Sequence, residues 1–124
     1  MDIKKILIAD DESNIRLLVS SMLGKDYTVI EARDGEEAIN IARSQKPDII
    51  LMDIMMPKMD GYSAVSMLKT DETTKHIPVI MLTAVGQELN KKLAQTMGAA
   101  GYVTKPFTQQ DLLHTIGRLV KSTK

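Results

Sequence analysis

Ile49-Ile50-Leu51-Met52-Asp53 is an apolar run that meets no polar side chain until its last residue. It does not alternate, as a strand with one wet face would. A run this short and continuous suits a strand covered on both faces, as in a parallel sheet sandwiched between helices. Periodicity alone cannot separate such a run from a piece of buried helix, but its brevity and its polar boundaries favour the strand. Ile6-Leu7-Ile8-Ala9 and Val79-Ile80-Met81-Leu82 read the same way, with Tyr27-Thr28-Val29-Ile30 and the weaker Tyr102-Val103-Thr104 completing a set of five.

The segments between these runs have helical period. Ile15, Leu18, Val19 and Met22 follow the i, i+3, i+4, i+7 spacing, and Gly24 supplies a stop. Asp34 caps a second helix, with an acidic residue three positions on and a stripe of Ala38, Ile41 and Ala42. Ala64, Val65, Met67 and Leu68 mark a third helix. Leu89, Leu93 and Met97 mark a fourth, ended by Gly98. Thr108 caps a fifth, with Asp111 at the capping-box position and a stripe of Leu112, Ile116, Leu119 and Val120. Strand and helix alternate five times, which predicts an α/β, doubly wound (βα)5 domain with a parallel sheet and helices on both faces. At 124 residues the chain reads as one domain over 1–124, without linker or repeat.

Composition removes several classes of function. Sixteen basic and sixteen acidic residues cancel, so no global charge draws the chain to nucleic acid or to an acidic membrane. With no cysteine there is no disulfide scaffold, thiolate zinc site or cysteine nucleophile. His76 and His114 are too far apart in sequence for a two-histidine zinc site at helical spacing. Three Tyr, one Phe and no Trp leave little for stacking bases. No window is apolar over the ~18 residues of a membrane span, and the N-terminus lacks a signal-like apolar stretch, so the cytoplasm is the expected address.

In open α/β sheets ligands sit beyond the carboxyl ends of the strands. Asp10, Asp11 and Glu12 follow the first strand, Asp53 ends the third, Thr83 ends the fourth, and Lys105-Pro106 follow the fifth. The second strand ends in Glu31-Ala32-Arg33, with nothing convergent. In the flavodoxin-like order 2-1-3-4-5 the three aspartates would share one crevice, with Thr83 and Lys105 beside it. Clustered carboxylates need positive charge to stay ionised. Mg²⁺ takes one or two carboxylates together with waters and phosphate oxygens, and Lys105 adds a second point charge. The set suits phosphoryl transfer to a carboxylate nucleophile.

Each residue alone has a blander reading. Asp11 would be a helix cap, Asp53 a turn residue, Thr83 a strand former, Lys105 a solvated charge and Tyr102 a half-buried aromatic. Met52, Met55, Met56 and Met59 read as core and loop filler. Convergence of four strand ends out of five shifts the balance.

Ile6-Leu7-Ile8-Ala9-Asp10-Asp11-Glu12, Pro47 to Asp53, Met56-Pro57-Lys58-Met59-Asp60-Gly61, Pro78 to Ala84 and Gly98 to Phe107 together make the chain resemble a response-regulator receiver domain of two-component signalling, of the single-domain chemotaxis-regulator type. The resemblance covers essentially the whole chain. It implies the 2-1-3-4-5 sheet, with Asp53 as phosphoacceptor. Mg²⁺, with Mn²⁺ as a substitute, would be held by Asp11 directly, Asp10 largely through water, Asp53 and the backbone carbonyl of Met55. Thr83 and Lys105 would bond the phosphoryl group, Tyr102 would be the aromatic switch residue, and the Lys105-Pro106 bond would be cis.

The donor implied is a sensor histidine kinase or a histidine phosphotransfer protein. The readout would be an unidentified protein target on a surface of the fourth helix, fifth strand and fifth helix, with Lys91, Lys92, Gln95, Tyr102 and His114 as candidate exposed residues. No direct nucleic-acid or membrane contact is implied. The chain would be a monomer that catalyses its own phosphorylation and slow dephosphorylation, not a turnover enzyme. Ala100-Gly101 stand where winged-helix regulators carry a charged pair, which argues against their dimer. Apolar Met55 and Val85, at positions that tune dephosphorylation in the family, point to slow hydrolysis. A haloacid-dehalogenase-type phosphatase or toprim module would want an Asp-x-Asp that neither Asp10-Asp11-Glu12 nor Asp53-Ile54-Met55 supplies. A nucleotide or flavin module would want a glycine-rich first turn. A receiver-shaped module that never takes phosphate would not need the complete acid, Thr and Lys set.

Overall fold

The computed structural model describes residues 4–84 and 95–122. Strands β1 (Lys4–Ala9), β2 (Tyr27–Ala32), β3 (Ile49–Asp53), β4 (Val79–Ala84) and β5 (Gly101–Lys105) form one parallel sheet in the order β2-β1-β3-β4-β5. Helices α1 (Ser13–Leu23), α2 (Gly35–Gln45) and α3 (Gly61–Thr70) follow the first three strands, and a C-terminal helix (Gln109–Ser122) follows β5. This is the α/β architecture expected of the apolar runs. β1 begins two residues before its apolar run, and β2 extends two residues beyond its own.

The continuous runs are explained by two separate cores. Leu7 and Ala9, Ile50 and Met52, and Val79 and Met81 pack on one face with Ala38, Ile39 and Ala42 of α2 and Ala64, Val65 and Leu68 of α3. Ile6 and Ile8, Ile49 and Leu51, and Ile80 and Leu82 pack on the other with Val19 and Leu23 of α1 and Leu112 and Ile116 of the C-terminal helix. The pleat sends alternate side chains to opposite faces, and both faces are dry.

With both faces apolar, the hydrophobic pattern cannot by itself set strand register. Polar contacts at the strand ends do that work. At the start of β3, the Asp48 backbone N–H donates to the Lys5 carbonyl at 2.8 Å, and the Lys5 N–H donates to Asp48 Oδ2 at 2.8 Å. The resulting register sets Ala9 beside Met52 and Asp53 beside Leu82, so the acidic residues that follow β1 and end β3 arrive together.

Local capping signals are met. Asp34 accepts from the Glu37 N–H at 2.8 Å. Thr108 and Asp111 form a reciprocal box, with Asp111 N–H to Thr108 Oγ1 at 3.0 Å and Thr108 N–H to Asp111 Oδ2 at 3.1 Å. Helical residues 95–97 end at Gly98, whose φ of +100° suits glycine. Two stripe residues depart from expectation. Leu18 is 42% and Met67 44% exposed, because the buried seams of α1 and α3 run through Ile15-Val19-Met22-Leu23 and Ala64-Val65-Leu68. Leu89 and Leu93 of the fourth predicted helix lie outside the described residues.

Candidate functional site

The carboxyl ends of β1, β3, β4 and β5 meet at one edge of the sheet. Asp10 follows β1 and is fully buried, Asp53 ends β3 at 5% exposure, and Asp11 is exposed at the rim. One carboxylate oxygen from each of the three lies within 4.8 Å of the others. Lys105, the last residue of β5, reaches across: its Nζ is 2.9 Å from Asp10 Oδ2 and 3.4 Å from Asp53 Oδ1. Thr83, buried at the end of β4, is paired in register with Thr104 of β5. The Lys105-Pro106 peptide bond is cis.

Asp11 does not cap α1; the N-cap residue is Glu12, and its side chain makes no capping bond. Asp10 has all its polar atoms engaged. Its N–H donates to the Ala32 carbonyl, Oδ1 accepts from the Glu12 N–H, Oδ2 accepts from Lys105, and its carbonyl accepts from Arg16.

Gly61 holds the other side of the crevice. A Cβ there would collide with the Asp53 carbonyl oxygen and come within 2.9 Å of Ile54 Cα, and the Gly61 N–H donates to the Ile54 carbonyl at 2.8 Å. Only glycine lets the start of α3 lie this close to the chain leaving β3. Asp60 then caps α3 through the Ser63 N–H at 2.8 Å.

The electrostatics follow from this crowding. Burial raises the Asp53 carboxyl, the Asp10 charge adds to it and Asp11 adds less, while Lys105 opposes by charge and hydrogen bond; the pKa comes to about 6. Burial works against the Lys105 ammonium, but its bonds to Asp10 and Asp53 and their charges outweigh burial and hold its pKa above the ordinary value. Three carboxylates against one ammonium leave two negative charges when all are ionised. An all-oxygen donor set with that excess suits a hard divalent cation. The buried carboxylate of Asp53, beside a fixed ammonium, is placed to act as a nucleophile.

Residues 6–117 match the response regulator receiver domain family. The chain belongs to that family. As a receiver domain it is a signalling module of two-component systems and not an ordinary metabolic enzyme. It is 38% identical to protein PilH of Pseudomonas aeruginosa, over 94% of this chain and 97% of PilH. The chemotaxis protein CheY4 of Vibrio cholerae superposes with a TM-score of 0.87 at 34% identity, over 95% of this chain and 99% of that one. The receiver domain of sensor histidine kinase PA1611 from P. aeruginosa, described with a magnesium ion coordinated in its active site cleft, superposes at 0.87 with 30% identity, over 97% and 99%. The receiver spans about half the length of the curated relatives it matches first.

The structure brings together Asp10, Asp11, Asp53 and Lys105, with Thr83 at the adjoining strand end. Met55 is 66% exposed in the loop after β3, beside Asp11 in a groove of about 530 Å³. Tyr102 lies on β5 at 42% exposure, away from the carboxylates in sequence register. Val85 lies outside the described residues. The reading of the second strand end as non-convergent needs correction. Glu31 Oε1 holds Arg16 Nε at 2.8 Å, and Arg16 Nη1 holds the Asp10 carbonyl at 2.8 Å, so β2 does reach the site. The only signal for this in the sequence is an arginine one turn into the helix after the Asp-Asp pair.

Proposed function

We propose that this receiver is a phosphorylation-dependent switch in which Asp53 takes a phosphoryl group from a phosphohistidine on a sensor histidine kinase or histidine phosphotransfer protein. The observation that supports it best is Lys105 Nζ bridging Asp10 and Asp53 at 2.9 and 3.4 Å within a three-carboxylate cluster. A carboxylate oxygen of Asp53 forms the O–P bond as the N–P bond breaks, and the electron pair leaves with the imidazole nitrogen. Asp10, Asp11, Asp53 and the Met55 carbonyl would hold Mg²⁺, or Mn²⁺ in its place. The metal supplies positive charge to the transferring phosphoryl oxygens. Lys105 moves from its carboxylate partners towards the added oxygens, and the Thr83 hydroxyl donates to another.

The added charge of about −1.5 to −2 biases an element that already has two arrangements. Tyr102 carries that bias to a surface it shares with exposed His114, to which exposed Gln95 is also assigned. Lys91 and Lys92, assigned to the same surface, lie outside the described residues. Met55 offers no hydrogen bond to orient a hydrolytic water, so the phosphoryl group is lost slowly. The chain works as a monomer in the cytoplasm. Among the described residues no helix is long and apolar enough to cross a membrane.

Intact mass after incubation with Mg²⁺ and acetyl phosphate tests the chemistry, beside Asp53→Asn and a no-metal control. A single phosphoryl adduct that needs both Mg²⁺ and Asp53 is expected. An adduct that survives in Asp53→Asn, or none on the folded wild type from acetyl phosphate or a phosphohistidine donor, refutes the proposal.

A further inference from the structure

Asp11 is the exposed member of the carboxylate cluster, and no capping bond holds its side chain. Its aim depends on the backbone that carries it. The peptide plane joining Asp10 to Asp11 contains the Asp10 carbonyl, and that carbonyl accepts from Arg16 Nη1 at 2.8 Å. Holding that plane restrains ψ of Asp10; with the chain beyond Asp11 anchored by the Glu12 N–H on Asp10 Oδ1 and by the Ile15 and Arg16 N–H groups on the Glu12 carbonyl, it also restrains φ of Asp11, and hence the direction of the Asp11 Cα–Cβ bond. The guanidinium is itself held from the other side by Glu31 Oε1 on β2, 2.8 Å from Nε. Only 12% of the Arg16 side chain is exposed. The Arg16 N–H closes onto the Glu12 carbonyl at 3.2 Å, so the same residue starts α1 and grips the turn before it.

We propose that Arg16 is a positioning residue for the divalent-cation site, acting by clamping the Asp10–Asp11 peptide plane against β2. The inference rests on reading the carboxylate cluster as a Mg²⁺ site. Two parts of one planar fork are used at once, one on a carbonyl and one on a carboxylate. A lysine ammonium carries the same charge but lacks that fork. Glu31 neutralises much of the Arg16 charge, so the contribution is geometric and not a matter of long-range attraction or repulsion.

Calorimetric titration of the purified chain with Mg²⁺, with no phosphodonor present, tests this. Outer partners of metal ligands typically contribute about 10–100-fold in affinity. Arg16→Met and Arg16→Lys are each expected to weaken Mg²⁺ binding by about tenfold, the low end because the clamp acts through the backbone. Arg43→Met breaks the Arg43–Asp71 pair (2.7 Å), which joins the far ends of α2 and α3, and is expected to leave Mg²⁺ affinity unchanged. If Arg16→Met does not fold, Arg16→Lys and Glu31→Ala, which removes the acceptor on β2 and keeps the guanidinium, carry the same expectation.

Wild-type affinity in Arg16→Met overturns the proposal. Full rescue by Arg16→Lys overturns it too, because charge alone would then suffice. A wild type that binds no Mg²⁺ also overturns it. A wild type that binds Mg²⁺ yet takes no phosphoryl group would sink the phosphoacceptor reading and leave the Arg16 clamp standing. Normal phosphorylation with unchanged Mg²⁺ affinity in the Arg16 variants would do the reverse.

Discussion

Replacing Asp53 by Asn in metal-free buffer is expected to stabilise the fold at neutral pH. Asp53 titrates at about 6 in the folded chain, chiefly because it is buried and faces Asp10. In the unfolded chain an aspartate titrates near 3.9. Between those values the native state holds a proton that the unfolded state has released, so stability falls as pH rises through the window. The penalty is complete above the folded pKa and absent below the unfolded one. Two pKa units correspond to about 3 kcal/mol. That is a ceiling, because salt and water reaching the 8% exposed side chain soften the repulsion. An effect of about 2 kcal/mol remains, or roughly 8 °C in Tm for a chain of this size.

Asn keeps the shape of the protonated acid and cannot ionise. Thermal unfolding followed by far-UV circular dichroism, with chelator present, should give Asp53→Asn the higher Tm at about pH 7.5. The advantage should shrink below about pH 6 and vanish near pH 4. Saturating Mg²⁺ should then favour the wild type, since a ligand that binds only the folded state stabilises it. A variant less stable than wild type at neutral pH without metal, or a difference that does not change with pH, would show that Asp53 is not under electrostatic strain.

Other perturbations probe the neighbours. Lys105→Met leaves Asp10 and Asp53 without their shared cation and should cost about 3 kcal/mol in urea unfolding at neutral pH, the low end for a broken buried pair because Lys105 is 15% exposed. Gly61→Ala drives a methyl into the Asp53 carbonyl and should lower the urea midpoint by an amount equivalent to about 2 kcal/mol while also reducing phosphoryl incorporation. Thr108→Ala removes one half of a capping box that makes no bond to the carboxylates and should cost about 1 kcal/mol with no change in Mg²⁺ affinity.

The fold was readable because its signals are local and redundant. A strand buried on both faces needs apolar residues at every position, and Ile6–Ala9, Ile49–Met52 and Val79–Leu82 meet that need without reference to any other segment. The Thr108–Asp111 box was readable for the same reason, since both partners lie within one turn. Leu18 and Met67 misled because helical spacing marks a broad apolar stripe, and only the packing decides which edge of it stays wet. The Arg16–Glu31 pair was not readable at all. It spans 15 residues between a helix and a strand, and no period links the two until the sheet order is known. The requirement at Gly61 likewise depends on the path of the chain leaving β3, although glycine at that position is plain in the sequence.

The carboxylate crevice is also where local and global demands conflict. The sheet gains from burying every strand end, but β1 and β3 deliver acids there, and burial then raises the free energy of each charge. Lys105 relieves part of the conflict and leaves an excess of negative charge. Arg16 cannot relieve the rest, because its own charge is matched by Glu31. What remains, among the described residues, is a site held through the backbone and polar atoms of Asp10, whose excess negative charge at neutral pH an added cation can offset. In the proposed switch, a phosphoryl group brought in with that cation would reverse the balance again and draw on Lys105. The strain would then couple occupancy of the crevice to β5, which carries both Lys105 and the exposed Tyr102. Without the strain, Lys105 would gain little by leaving Asp10, and the proposed signal would have no driving force at its source.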